Sequence, residues 1–187
     1  SEVVVSAFQD DSLGSDDAFV IAEKIKTGEL DAKTVTRDAI RRAELVNPKL
    51  NAITEENFDF AQANSEKKFS GFFQGVPTFI KDTDEVPGLP LYLGSRSLPG
   101  EPSDKYSKAA KQIIDTGLNC LGTTTTPEFG LTGTTESLRF GATCNPWNTA
   151  YSTGGSSGGS SALVAAGVIP IAHAMMEQVL FEYQHRA

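Results

Sequence analysis

The run Ser152-Thr153-Gly154-Gly155-Ser156-Ser157-Gly158-Gly159-Ser160-Ser161 constrains this chain more than any other stretch. Composition alone reads as a flexible glycine/serine linker. A linker, however, is not usually followed at once by Ala162-Leu163-Val164-Ala165-Ala166-Gly167 and the apolar stretch 168–172. The context instead predicts a tight turn feeding a helix N-terminus. There the glycines permit close backbone approach, and free N–H groups face an anion or an oxyanion. Neither nucleotide fingerprint, Gly-x-x-x-x-Gly-Lys-[Ser/Thr] or Gly-x-Gly-x-x-Gly, occurs in proper form, which weakens a phosphate reading.

Around this turn the pattern is that of an α/β protein. A helix is expected over 15–27, capped by Ser15 or Asp16 and stopped by Gly28. A second begins near Thr34, places Val35, Ile40, Ala43 and Val46 along one face, and closes at Asn47-Pro48. A weaker third covers 55–69, so the three suggest an outer helical layer. Strands are expected at 76–80, 118–122 and 168–172, with helices near 105–116 and from Ser160, and loop over 123–160. Pro77 argues for an edge or an early strand position.

The chain has 187 residues, a single-domain length, with 24 acidic and 16 basic side chains and a net charge of −8. That field repels polyanions, so neither nucleic acid nor an anionic membrane surface is an expected partner. A small or neutral ligand fits better. Cys120 and Cys144 are too few for a disulfide scaffold. Residues 1–5 carry no basic, apolar leader pattern, and no stretch reaches 18 uninterrupted apolar residues, so the cytoplasm is the default location.

Lys81 ends an apolar strand-like run, between Ile80 and Asp82. Most lysines are solvated surface charges. If the run carries this one inward, a neutral amine beside a serine hydroxyl becomes an alternative to the Ser-His-Asp arrangement. His173 lies in an apolar stretch and reads as a packed ring, and His185 lies in a polar tail. No Cys/His pair has zinc spacing, so neither metal nor cofactor is expected.

Taken together, these residues resemble the amidase signature hydrolases. Gly75-Val76-Pro77-Thr78-Phe79-Ile80-Lys81-Asp82, with Gly88-Leu89-Pro90 and Gly94-Ser95, is similar to the catalytic-lysine region of that family. Gly122-Thr123-Thr124-Thr125-Thr126-Pro127-Glu128-Phe129 resembles its next loop. Asn145-Pro146-Trp147-Asn148 and Gly154–Ser160 match the opening of the signature. The likeness covers roughly residues 16–174. It implies an N-terminal helical layer on part of a mixed-sheet core, with the sheet incomplete, over 1–174 and a tail outside the family over 175–187. It also implies a Ser–Ser–Lys mechanism on a small carboxylic amide. Lys81 is then the base, and Ser156, held in a cis peptide, relays the proton to a nucleophilic serine.

The nucleophile of that family aligns at Leu180, 24 residues beyond Ser156, and no serine follows Ser161. The resemblance therefore implies an amidase by descent whose present chain is impaired or inactive. An unpaired sheet edge and exposed apolar surface are expected, with marginal stability or self-association. A second reading is a non-catalytic binding or regulatory fragment that keeps part of the amide pocket or caps an intact amidase. A third makes Ser157, Ser160 or Ser161 a substitute nucleophile. Phe72, Phe73, Phe129, Trp147 and Tyr151 are candidates for pocket lining or packing, and the substrate-binding residues are otherwise unassigned.

Overall fold

A computed structural model describes residues 3–131, 133–155 and 157–173. The polypeptide enters helix α1, Ala18–Thr27, through Asp17, whose carboxylate accepts the N–H of Val20 at 2.9 Å. Asp17, rather than Ser15 or Asp16, makes this cap because it stands three residues before that free N–H. Gly28, at φ 79°, closes the helix as expected.

Helix α2, Ala32–Leu50, runs through Pro48 instead of stopping at Asn47. The reason lies in Asn47 and Asn51. Asn51 takes the left-handed conformation, and the Asn47 carboxamide oxygen accepts the N–H groups of Ala52 and Ile53 at 2.9 and 3.0 Å. Those bonds turn the chain directly into a strand that the sequence pattern does not reveal, β1, Ile53–Glu56. Helix α3, Phe58–Ser65, follows and is shorter than expected.

Strand β2, Pro77–Lys81, passes through α4, Lys108–Ile114, into β3, Asn119–Thr124, which lies parallel to it. β1 pairs antiparallel on the other side of β3, giving the mixed order β1-β3-β2. β3 is wholly buried and β2 nearly so. The buried faces of α1 and α2, including Ile21, Val35, Ala39, Ala43, Val46 and Leu50, join Phe79, Ile80, Leu121 and Leu163 in one core. Cys120 and Cys144 are free thiols, and burial pushes Cys120 up to about 11.

The stretch 168–172 is not a strand in the structure. Val168, Ile169, Ile171 and Ala172 are buried, but Pro170 has no N–H for a ladder. The segment instead meets β2 through side chains, with Thr78 Oγ1 donating to the Ile171 carbonyl at 3.0 Å. The outer edge of β2 is thereby buried. β1, the opposite edge, is four residues long, bulged, and carries Glu55 and Glu56, features that blunt edge-to-edge pairing. The unpaired edge expected from the sequence is thus covered or acidic among the described residues. Exposed apolar side chains are present, Phe72, Leu131, Leu138, Trp147 and Tyr151 among them.

The described residues between 123 and 160 are more ordered than the expected loop. They form the pairs β4, Glu136–Ser137, with β5, Gly141–Ala142, and β6, Cys144–Asn145, with β7, Asn148–Ser152. Threonines organise them. Thr135 N–H donates to Thr153 O, Thr153 N–H to Thr143 O, and Thr143 N–H to Thr135 O, at 3.1, 2.8 and 2.9 Å. The Thr125 and Thr143 hydroxyls lie 2.6 Å apart, and that of Thr143 donates to the Asn51 carbonyl at 2.9 Å. Buried hydroxyls that satisfy one another and the backbone hold a polar segment inside the protein. Helix α5, Gly158–Ala165, closes the described fold.

Candidate active site

Lys81 stands at the C-terminal end of β2, in register with Thr124 on β3. Asp82 N–H donates to Thr124 O at 3.0 Å. The Thr124 hydroxyl lies 2.7 Å from Ser160 Oγ in the first turn of α5. Thr124 therefore ties the strand end that carries Lys81 to the end of the glycine/serine run, where it has entered α5. Lys81 is half-buried, and among the described residues its ammonium makes no ion pair. Ser156 and Leu180, the other two sequence-derived positions, lie outside the described residues, as do the cis peptide expected at Ser156 and the tail 175–187.

The turn is built, but its N–H groups are not all free as expected. Gly155 N–H donates to Gly133 O at 2.6 Å, and Gly159 N–H to Thr125 O at 3.2 Å. Those bonds fix the turn against 133–135 and the end of β3. Of the five aromatic candidates Phe73 is buried in the core, whereas Phe72, Phe129, Trp147 and Tyr151 are exposed.

Several residues that sequence reasoning passed over organise the site. Asp82, fully buried, accepts Tyr92 N–H on one carboxylate oxygen at 2.9 Å and Gly94 N–H on the other at 3.1 Å. Its signal was a carboxylate directly after an apolar strand, followed by a glycine-rich return. The Arg139 guanidinium lies over the Tyr92 ring, 3.7 Å from its centroid, and donates to the carbonyls of Ser95 and Leu98, both at 3.1 Å. Tyr92 OH donates to Glu55 at 2.8 Å, and Ser95 Oγ to Glu128 at 2.6 Å. The loop after Lys81 is thus locked on both sides. His173 is the packed ring expected, yet its Nδ1 accepts the backbone N–H of Lys81 at 3.1 Å.

Burial pushes the Asp82 carboxyl up from 3.8 to about 6, against the lowering effect of the Tyr92, Leu93 and Gly94 N–H groups and of Arg139. A folded value above the unfolded one means that the native chain binds the proton more tightly between the two. The stability contributed by Asp82 is therefore greatest below about pH 4 and falls as pH rises through 6, by about 3 kcal/mol. Asp31 and Glu66, both held below the usual carboxylate range, chiefly by hydrogen bonds from Thr34 N–H and the Lys33 ammonium, act in the opposite sense. Urea midpoints across pH 4–7 in the wild type and Asp82→Asn separate the contributions. The descending component belongs to the wild type alone, and parallel profiles would refute it.

No helix among the described residues is long and apolar enough to cross a membrane, and no group of three or more His, Cys, Asp or Glu among them is placed to hold a metal ion. Comparison with known proteins gives a consistent family. The Amidase family model matches residues 34–175. AmiC of Mycobacterium tuberculosis, assigned to the amidases, is 45% identical over 172 residues, covering 91% of this chain and 36% of that protein. The 6-aminohexanoate-cyclic-dimer hydrolase of Paenarthrobacter ureafaciens is 38% identical over 160 residues, covering 84% and 32%. A solved structure of 6-aminohexanoate cyclic dimer hydrolase with its substrate superposes with a TM-score of 0.79 at 38% identity, over 84% of this chain and 33% of that one. Fatty acid amide hydrolase, at 22% identity and a TM-score of 0.83, shares the fold over 88% of this chain and 31% of its own. The chain thus spans about a third of the length of the relatives it matches, as part of a mixed-sheet amidase-signature core. It belongs to the Amidase family.

Proposed function

We propose that this chain carries the lysine and relay-serine half of an amide-hydrolysing site, with residues 1–174 as the family portion and 175–187 as a tail outside it. The observation that supports the reading is the junction at Thr124, which joins the Lys81 strand end to the first turn of α5, two residues after Gly158. In the reaction, neutral Lys81 Nζ takes the Ser156 proton while Ser156 Oγ takes that of a nucleophilic serine. The nucleophile then adds to the amide carbonyl. Collapse of the tetrahedral intermediate breaks the C–N bond. The proton returns through Ser156 to the departing amine, leaving an acyl ester that water hydrolyses. With Leu180 at the nucleophile position, the chain by itself does not complete this cycle. Groups that act as one unit lose activity together rather than in proportion.

That same substitution favours a second reading, a binding or regulatory fragment that keeps part of the amide pocket. A fluorophosphonate serine probe and a carboxylic amide test both. The expected result is no stoichiometric labelling of the folded chain. Titration with 6-aminohexanoate cyclic dimer is expected to shift the amide resonances of 81–82, 124 and 157–161. Labelling that is lost in Lys81→Ala and Ser156→Ala would overturn the inactive reading. A titration that leaves those resonances unmoved would overturn the amide site itself.

A further inference from the structure

Among the described residues β2 is an outer strand, so alternate backbone N–H groups face away from β3. Asp82 N–H points inward, to Thr124 O, and Lys81 N–H points outward. An outward N–H in a buried place needs an acceptor, and His173 Nδ1 is that acceptor, at 3.1 Å. An accepting Nδ1 assigns the proton of the neutral ring to Nε2, which faces Asp84 Oδ2 at 3.6 Å. Asp84 is itself held. Its Oδ1 accepts from Ser107 Oγ at 2.7 Å and its Oδ2 from Thr83 Oγ1 at 3.0 Å. Ser107 in turn caps α4, accepting the Ala110 N–H at 3.2 Å. Hydrogen bonds therefore run from the start of α4 to Asp84, whose carboxylate stands beside a fully buried imidazole, and from that imidazole to the backbone from which the Lys81 side chain projects.

We propose that His173, with Asp84 beside its other ring nitrogen, is a positioning residue for Lys81. It stands where a strand neighbour would, at the outward N–H whose displacement would move the lysine. The inference rests on Lys81 being the base of the site. A side chain acting through another must hold it closely, because small misplacements of a reacting group are costly. His173→Asn keeps an acceptor near the Nδ1 position, and His173→Ala removes it.

Two measurements on the purified chain test this, neither using an amide or a serine probe. Lys81 amide exchange is expected to accelerate roughly tenfold in His173→Ala and to recover in His173→Asn. The acetylation rate of the Lys81 amine, read by mass spectrometry at fixed pH, is expected to change about threefold in His173→Ala and recover in His173→Asn, with other lysines unmoved. Asp84→Asn, at a half-buried position, is expected to alter both in the same sense by a smaller factor, and it serves if His173→Ala does not fold. Accelerated exchange with an unchanged Lys81 acetylation rate would overturn the proposal by reducing His173 to a structural ring. Failure of His173→Asn to restore either readout would overturn it too. An amide titration that leaves the site resonances unmoved would instead refute the catalytic reading, so the two failures are distinguishable.

Discussion

Arg42→Met is expected to destabilise the protein by about 3–5 kcal/mol, lowering the thermal midpoint by roughly 10 °C. The Arg42 guanidinium is buried, with side chains at 2% exposure for Arg42 and 7% for its partner Asp11. Nε donates to Asp11 at 2.8 Å and Nη2 to the other Asp11 oxygen, making a two-point pair. Nη1 donates to the Gly167 carbonyl at 2.7 Å, and Nη2 is shared further with the carbonyls of Gly14 at 3.0 Å and Gln9 at 3.1 Å. One side chain therefore joins α2, the N-terminal segment and the turn after α5. Removing it leaves the nearly buried Asp11 carboxylate without its cation and the buried Gly167 carbonyl without a donor, which accounts for the size of the effect. Arg42→Lys retains the charge but not the planar fork, and is expected to cost roughly 2–3 kcal/mol. The neighbouring Arg41→Ala provides the contrast. Its ion pair with Asp38, at 3.0 Å, lies on an exposed side chain and contributes at most about 1 kcal/mol. Urea unfolding of the three variants, with proteolysis of residues 3–16 as a local probe, checks the order. Equal losses at positions 41 and 42 would contradict it.

Arg42 also marks where sequence reasoning reached its end. The apolar stripe of α2, the Gly28 stop, the strand leading to Lys81 and the helix after the glycine/serine run were all legible, because each depends on local periodicity or a local breaker. Arg42 sits on the same helix with no local mark of burial, since its partners lie 31 and 125 residues away in sequence. β1 escaped for a similar reason. Ile53-Thr54-Glu55-Glu56 has little strand character, and pairing with β3 defines it. The opposite error occurred at 168–172, where apolar residues read as a strand but Pro170 and the side-chain caps on β2 decided otherwise. At the site, Lys81 was legible because it ends an apolar strand. Asp82, Thr124 and His173 needed the fold to bring three chain ends together.

Gly159→Ala is expected to be the other severe substitution, destabilising by about 3 kcal/mol or more, beyond the usual cost of one added methyl in a packed interior. A Cβ at this position meets Thr125 Oγ1 at 2.5 Å, Thr125 N at 2.6 Å and Ala52 O at 2.7 Å. The last two are the donor and acceptor of a 2.9 Å backbone hydrogen bond that joins the end of β3 to the start of β1. A flexible side-chain tip can rotate away, but this pair cannot separate without opening the sheet. The damage therefore extends to Thr124, and through it to the strand end that carries Lys81. Gly154→Ala, in the same glycine run, has its nearest neighbour at 4.0 Å and is expected to change stability by less than about 1 kcal/mol. The two glycines separate the readings that composition leaves open. A flexible linker tolerates both substitutions alike, whereas a turn built against β3 fails at Gly159 and tolerates alanine at Gly154. Thermal unfolding of the two variants, with the Thr124 and Lys81 amide resonances as local reporters, decides between them.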